Sequence, residues 1–207
     1  MKHPAVAALA AVVIAAGQKA ATSFTGPAAA EVERVESGTL QTPDGRRVVY
    51  RIRLLPVASF PDLPPEVASV LDRIGCMIPQ TFEAQQPENV IEGAFRAPAS
   101  RDWAALCSVH GRTTLYVFFD GHYNSPEPLR SQADTLWLGA EPGSSVYGSA
   151  WGIAVRGVAD LRQNRQWHGA AHFDHDAIED ARLERSTSLH YWQMGEWLPF
   201  GVNEQGP

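Results

Sequence analysis

The feature that most constrains the fold is a hairpin signal in residues 39–55. Pro43, Asp44 and Gly45 supply the backbone dihedrals of a tight chain reversal. After this turn, every second residue from 48 to 54 is apolar or aromatic, and the residues between them include Arg51 and Arg53. Alternation with a period of two is typical of a strand with one buried face. The stretch therefore predicts two antiparallel strands, the second with one apolar face and one partly basic face.

Later segments show the same pattern of short strands around tight turns. Two strand pairs flank turns with glycine at the second position: residues 103–108 and 114–119 around His110-Gly111, and residues 188–193 and 196–200 around Met194-Gly195. Glycine readily adopts the left-handed conformations that two-residue hairpin turns require. These segments favour a mainly β (α+β) fold, a small antiparallel β-sheet domain. Between residues 120 and 149, only 135–138 are strand-like.

One segment has helical rather than strand periodicity. Its apolar residues recur at the spacing of a single helix face, at Val67, Val70, Leu71 and Ile74. Pro64 and Pro65 suit the start of a helix, and Gly75 suits its end. We predict one short helix here, with a turn or second short helix near residues 160–163. The expected organisation is a single β-rich domain over residues 37–207, preceded by a flexible lead-in at 22–36.

The N-terminal residues predict export. Lys2 precedes an apolar run from Ala5 to Ala16, which is typical of a signal peptide and too short to span a bilayer. We assign residues 1–21 to this signal, with cleavage between 17 and 30; the alternative is an ordinary N-terminal helix. The expected location is periplasmic or secreted, with no integral membrane segment after cleavage. A net charge of -6 without a long basic run gives no support for a nucleic-acid partner.

Export affects the interpretation of Cys76 and Cys107, the two cysteines of the chain. In an oxidising compartment two cysteines can form one disulfide, which here would join the end of the predicted helix to the strand that contains Cys107. The alternative is two buried free thiols. No C-x-x-C pair is present, and neither cysteine has a neighbouring Lys or Arg, so the sequence does not favour a catalytic thiol.

The densest group of ionisable residues lies between His172 and Asp180. It contains four carboxylates and two imidazoles, at His172, Asp174, His175, Asp176, Glu179 and Asp180. We interpret residues 172–180 as one tight loop that directs several of these groups toward a single point. The spacing matches no catalytic motif, so it does not predict a reaction.

An internal comparison divides the roles within this loop. Aligning Ala94 with His172 matches Phe95 with Phe173 and Asp102 with Asp180, and a hairpin follows in both copies. Because Asp102 persists in a copy that has lost the other acidic positions, we expect it to accept hydrogen bonds from backbone N–H groups at the loop end. The same role is expected of Asp180. This comparison leaves Asp174 and Asp176 as the better candidates for ion ligands.

These residues resemble the FG-GAP and VCBS repeats of integrin-like propellers, whose calcium loop has the form D-x-[DN]-x-D-G-x-x-D. The ligand positions of that loop correspond here to His172, Asp174, Asp176 and Asp180, the aromatic position to Phe173, and its glycine to Ala177. The resemblance implies blade-like hairpins. A closed propeller needs at least four blades, and this chain is too short to supply them.

The resemblance implies calcium as the candidate cofactor, held by Asp174, Asp176, Asp180 and His172. Calcium prefers six to eight oxygen ligands, whereas His172 offers nitrogen and Ala177 replaces the glycine of the bend. A metal-free loop is therefore the alternative. Zinc is a less favoured candidate, which would use the imidazoles of His168, His172 and His175 with the carboxylates.

Two functions follow from these observations. The first is an exported, non-catalytic module whose 172–180 loop binds a cation or supports a surface for a protein or glycan partner. Six tryptophans could stack on sugars, although a core role for most of them is the simpler interpretation. The second function is a metal-dependent hydrolase that uses His168, His172 and His175 with Asp174 and Asp176.

Overall fold

The computed structural model describes residues 32–42, 44–163, 172–183 and 186–200. They form two β-sheets and two helices, so the predicted mainly β fold is confirmed. The larger sheet contains β1 (Arg34–Gln41), β2 (Arg47–Pro56), β3 (Met77–Gln80), β4 (Val90–Gly93), β5 (Asp102–Val109), β6 (Arg112–Phe118), β7 (Glu127–Ala133), β8 (Leu138–Ala140) and β9 (Val146–Ser149). The smaller sheet contains β10 (Trp151–Arg156), β11 (Ala177–Arg182), β12 (Ser186–Gln193) and β13 (Glu196–Phe200). The helices are α1 (Pro65–Arg73) and α2 (Val158–Gln163).

The smaller sheet is an antiparallel meander in the order β10-β11-β12-β13. The larger sheet follows the order β7-β6-β5-β3-β2-β9-β8, with β1 beside β2 and β4 beside β5. Its strand pairs are antiparallel except for β2 and β9, which are parallel. The four-stranded meander is blade-like, and the described residues contain neither a closed barrel nor a propeller.

Strand β5 lies between two layers and is buried on both faces. Trp103, Ala105 and Cys107 belong to the core cluster that includes the apolar face of α1. Ala104 and Leu106 point to the other face and join the cluster that contains core residues of the smaller sheet. Successive side chains of a strand alternate between its faces, so burial on both sides accounts for the continuous apolar sequence of β5.

The predicted disulfide is present between Cys76 and Cys107, whose Cα atoms are 5.2 Å apart. As expected, it joins the end of α1 to β5. The helix ends as its sequence predicts, because Gly75 adopts a φ of 73° and Cys76 N–H donates to the carbonyl of Leu71 at 3.0 Å. Among the described residues, no helix is long and apolar enough to cross a membrane.

Several predicted boundaries differ from the structure. Strand β1 begins at Arg34, so residues 34–36 belong to the sheet rather than to the lead-in. Residues 134–137 form a 3-10 turn, and the weakly patterned residues 127–133 form β7. The 172–180 loop prediction is wrong beyond residue 176, because β11 begins at Ala177 and pairs with β10 and β12 on its two sides. The signal peptide and most of the lead-in lie outside the described residues.

Candidate functional site

The predicted ligands do not converge on one point. His172 and Asp174 are exposed and Asp176 is half-buried in the segment before β11. Asp180 lies within β11 and is fully buried. His168, which the zinc hypothesis requires, lies outside the described residues. In the part of the chain that the structure describes, no group of three or more His, Cys, Asp or Glu side chains could hold a metal ion.

Asp102 has the role that the internal comparison predicted. Its carboxylate accepts hydrogen bonds from the backbone N–H groups of Arg96 and Asp120, each at 2.8 Å, and from the Ser100 hydroxyl at 2.6 Å. These groups lie in the loop that enters β5 and the loop that leaves β6, residues 94–101 and 119–122, at the open end of the hairpin. The buried charge therefore satisfies backbone donors that would otherwise be costly to bury.

The corresponding prediction for Asp180 is wrong, because its donors are side chains. One carboxylate oxygen accepts from Arg130 Nη1 at 2.8 Å and contacts His190 Nε2 at 3.1 Å, and the other accepts from Trp151 Nε1 at 2.7 Å. Asp180 sits on a strand whose backbone is already paired on both sides. It therefore connects β7, β10 and β12, three strands that are distant in sequence.

The two segments that aligned in sequence lie against each other in space. Asp176 N–H donates to the carbonyl of Ala94 at 2.9 Å, and Ala94 N–H donates to Asp176 Oδ2 at 3.0 Å. Phe95 is fully buried beside this contact, and a Cβ on Gly93 would lie 2.6 Å from its ring. A glycine at 93 is thus needed for this packing. The reciprocal hydrogen bonds fix loop 94–101 to the segment before β11.

His175 and Tyr191 form a hydrogen-bonded group that holds the side chain of Asp174 in place. His175 Nδ1 lies 2.6 Å from Asp174 Oδ1, and His175 Nε2 lies 2.9 Å from the carbonyl of Trp192. Carboxylate and carbonyl oxygens only accept, so both bonds form together when each ring nitrogen carries a proton. The Tyr191 hydroxyl donates to Asp174 Oδ1 at 3.0 Å, and its ring stacks on His175 with centroids 4.2 Å apart.

Two pKa shifts follow from this group. The hydrogen bond with His175, and then the one from Tyr191, holds the pKa of the Asp174 carboxyl below its ordinary value. Burial raises the pKa of the Tyr191 hydroxyl above its ordinary value. At neutral pH the exposed Asp174 is therefore a carboxylate, fixed from behind by a neutral phenol and the imidazole ring.

The two segments and the β12–β13 turn border an open cleft of about 340 Å³, which we call the loop cleft. Loop 94–101, the segment before β11, and the end of β12 with its turn each contribute to the lining, which includes Arg96, Pro98, His172, Asp174, Trp192 and Met194. Met194 occupies the turn with a φ of 53° and is 96% exposed. The Arg96 guanidinium lies over the ring of Phe119 at 5.4 Å, and Phe119 contacts Trp192 with ring centroids 4.9 Å apart. The cleft thus combines a cation, a carboxylate and apolar surface on a packed aromatic base.

No protein-family model, no curated protein and no solved structure matches the chain. The FG-GAP and VCBS resemblance therefore stays a prediction. Sequence reasoning identified Asp174 and His172 but missed Tyr191, Trp192 and Met194, which complete the cleft. The alignment of the two loops contained a signal for part of this arrangement, because it singled out the segments that meet in space.

Proposed function

We propose that the protein is an exported, non-catalytic binding module that takes a segment of a protein partner in the loop cleft. The observation that carries the proposal is the exposure of Met194 at a tight turn beside two oppositely charged groups, Arg96 and Asp174. An exposed thioether adapts to varied apolar side chains. The charges would fix the orientation of a peptide through a cationic and an anionic group of its own.

The geometry around Asp174 supports binding more than catalysis. A general base needs a nitrogen or oxygen free to reach a substrate proton. Both ring nitrogens of His175 already contact acceptors of the protein itself, the Asp174 carboxylate and the Trp192 carbonyl. His175 therefore serves as a support that orients Asp174. Such preorganisation lowers the entropy lost when a partner binds.

The architecture supports two further parts of the proposal. The antiparallel meander β10–β13 has the strand order of a propeller blade, as the FG-GAP and VCBS resemblance implies. The Cys76–Cys107 disulfide is typical of proteins from oxidising compartments. Export is tested by fractionating cells that express the full chain and measuring the intact mass of the product. Cleavage between residues 17 and 30 is expected, and an uncleaved protein in the cytoplasm would contradict export.

The binding proposal is tested with random peptides displayed on phage and selected on the purified full chain. Selected peptides are synthesised, and their affinities are measured by isothermal titration. We expect Kd values of about 100 µM or tighter, which correspond to roughly 5.5 kcal/mol. Met194→Asp and Arg96→Glu should each weaken binding at least about tenfold, because they remove the apolar contact or reverse a charge.

Leu136→Asp provides the matched control, because Leu136 is another exposed apolar residue and is not among the cleft-lining residues. It should leave peptide affinity unchanged. Selection of no peptide, or equal affinity for all three variants and the parent protein, would contradict the proposal. A parallel glycan array identifies the other partner class. Glycan binding that Met194→Asp abolishes, without peptide binding, would overturn the assignment of a protein partner.

A further inference from the structure

Strand β1 is a long edge strand of the larger sheet. It extends over eight residues and pairs with β2 alone among the described residues. An edge strand leaves one row of backbone N–H and C=O groups unpaired, and another chain can add to that row as a further strand. Proteins usually block such edges with a short strand, a proline, a charged residue or a covering group.

The other edge strands in the described part of the chain carry such devices. Strands β7 and β13 contain Pro128 and Pro199, and proline donates no hydrogen bond to a neighbouring strand. Strand β8 has three residues, and β4 has four residues and lies against β10. At the edge of β10, the Asn89 side chain accepts from Ile153 N–H at 3.1 Å and donates to the Trp151 carbonyl at 3.1 Å.

The turn of the β1–β2 hairpin determines which backbone groups of β1 face the open edge. Thr42 N–H donates to the Arg46 carbonyl at 2.8 Å, and hydrogen-bonded pairs recur at every second residue of an antiparallel ladder. The even-numbered residues of β1 therefore bond to β2. The two charged residues of the strand, Arg34 and Glu36, belong to this even set and carry opposite signs. The backbone groups that face outward are those of Val35, Ser37, Thr39 and Gln41.

Apolar side chains are concentrated beside this open edge. Five large hydrophobic residues are exposed in the described part of the chain, and Val32, Val35 and Val49 are three of them. Val49 lies directly opposite Thr39 in the β1–β2 pair, so these two side chains share a face of the sheet with Val35. Exposed apolar side chains that are grouped on one surface mark interaction sites. The edge thus offers both unpaired backbone groups and apolar surface.

A second copy of β1 satisfies both features. In an antiparallel pair about a two-fold axis, outward-facing groups must meet outward-facing groups, so odd-numbered residues pair with odd-numbered residues. Two registers that meet this condition overlap β1 almost completely. An axis at Gly38 places Val35 beside Gln41 of the second copy. An axis at Ser37 places Val35 beside Thr39 of the second copy, whose neighbour on β2 is Val49, and so forms a continuous β-branched row.

We propose that the protein forms a homodimer through antiparallel pairing of β1 about an axis at Ser37. Three hydrogen-bonded pairs, 35 with 39, 37 with 37 and 39 with 35, supply about six backbone hydrogen bonds. Arg51 lies opposite Ser37, so the two copies of Arg51 are three strand spacings apart, about 14 Å. This distance exceeds the Debye length of about 8 Å at physiological ionic strength, and their repulsion is therefore screened.

Sedimentation velocity of the purified full chain between about 1 and 500 µM tests the dimer. A typical interface has about ten direct hydrogen bonds, so we expect a modest Kd, about 100 µM or tighter. Val35→Lys should raise this Kd at least about tenfold, because a lysine at an edge opposes strand pairing. Leu136→Lys is the matched control, since it adds the same charge at an exposed apolar residue outside β1 and β2. It should leave the Kd unchanged.

A single new cysteine tests the register. Hydrogen-bonded antiparallel residues have Cα atoms about 5.5 Å apart, within the range of a disulfide. Ser37→Cys should therefore form a covalent dimer on a non-reducing gel after oxidation with diamide. Thr39→Cys is the control, because its two copies would lie about 14 Å apart along the strands and should not cross-link.

The two measurements also separate this interface from the loop cleft, which β1 does not line. Val35→Lys should leave peptide affinity unchanged, and Met194→Asp should leave the dimer unchanged. The inference is overturned if the chain stays monomeric up to about 500 µM, if Val35→Lys dimerises as tightly as the parent, or if both cysteine variants cross-link equally. A monomer whose Val35 and Thr39 amides resist hydrogen exchange would assign the edge to another segment of the chain and also overturn the dimer. If Val35→Lys fails to fold, the cysteine pair decides alone.

Discussion

Residues 94–102 and 172–180 share a buried phenylalanine and a buried aspartate at aligned positions, yet the two aspartates have different hydrogen-bond donors. Phe95 and Phe173 are both buried, and Asp102 and Asp180 are both fully buried. Asp102 accepts hydrogen bonds from backbone N–H groups of the two loops at the open end of its own hairpin, whereas Asp180 binds side chains from three other strands. Equal burial at aligned positions therefore does not imply an equal role. The first aspartate organises loops and the second connects strands.

The largest expected effect of a single substitution is that of Asp180→Ala. Removing the carboxylate leaves Arg130, His190 and the Trp151 N–H without their shared acceptor. Because the Arg130 side chain is 32% exposed and water can solvate it, we expect a loss at the lower end of the range for buried pairs, about 3 kcal/mol. Urea unfolding at pH 7 measures the loss. Asp72→Ala, at an exposed position of α1, should change the free energy of unfolding by less than about 0.5 kcal/mol. A loss below about 1 kcal/mol for Asp180→Ala would contradict the connecting role.

Asp102→Ala should cost less, about 2 kcal/mol, because it leaves two backbone N–H groups without their acceptor but no charged side chain. The asparagine variants sharpen the difference between the two sites. In Asp102→Asn the amide oxygen can still accept a backbone N–H, so at least half of the stability should return. In Asp180→Asn the new NH₂ group faces other hydrogen-bond donors, so little of the lost stability should return. Equal recovery at both positions in urea unfolding would show that the two aspartates act alike.

Asp176→Ala tests the contact between the two regions. It removes the acceptor for the Ala94 N–H, and we expect a loss of about 1 kcal/mol. Amide hydrogen exchange followed by NMR should show faster exchange at Ala94. Asp176→Asn keeps a carbonyl oxygen at this place and should preserve the protection of the Ala94 amide. Unchanged exchange in the alanine variant would mean that the two segments are held together without this bond.

The pH dependence at Asp174 should be smaller still, because its side chain is half exposed and solvent screens its contacts. Its pKa is lowered from 3.8 in the folded protein, chiefly by the hydrogen bond with His175. The stabilisation is therefore present above pH 3.8 and is lost as the pH falls through the lower, folded value. Asp174→Asn should reduce the loss of stability between pH 4 and pH 2. Identical acid-unfolding curves for the variant and the parent protein would contradict this assignment.

We expect neither calcium nor zinc to change the stability of the protein. Each carboxylate is already hydrogen-bonded within the protein. Asp176 accepts from the Ala94 N–H, and Asp180 accepts from side chains of neighbouring strands. Asp174 is hydrogen-bonded to His175 and Tyr191. Convergence on one ion would break these bonds. We expect the thermal midpoint to stay within about 1 °C when calcium, zinc or a chelator is added, since a bound ion would raise it by mass action. A reproducible rise with calcium would restore the calcium prediction.

Local signals in the sequence were sufficient for several parts of the fold. The Pro-Asp-Gly turn, the glycine after α1 and the two glycine-containing hairpin turns each specify a conformation within a few residues. The Cys76–Cys107 pairing followed from composition and expected export. Asp102 was interpreted correctly because the donors of its backbone hydrogen bonds lie in the loops of its own hairpin.

Other parts depend on contacts that a local pattern does not contain. Residues 177–182 carry a glutamate and an aspartate, which are disfavoured in strands, so their strand became stable only through partners on both sides. Asp180 is buried there because Arg130, Trp151 and His190 meet it from distant positions. Because these distant contacts are not visible in the local sequence, the acidic residues alone resembled an ion-binding loop. The loop cleft was missed for the same reason, since three separate segments form it.

The position of the Cys76–Cys107 bond has a consequence for the order in which the chain folds. The bond spans 31 residues and joins α1 to β5, the strand that packs against both neighbouring layers. In the oxidised unfolded chain these two elements are already near each other, so part of the loop-closure entropy is lost before folding starts. Folding should therefore begin around β5 and be slower when the disulfide is reduced.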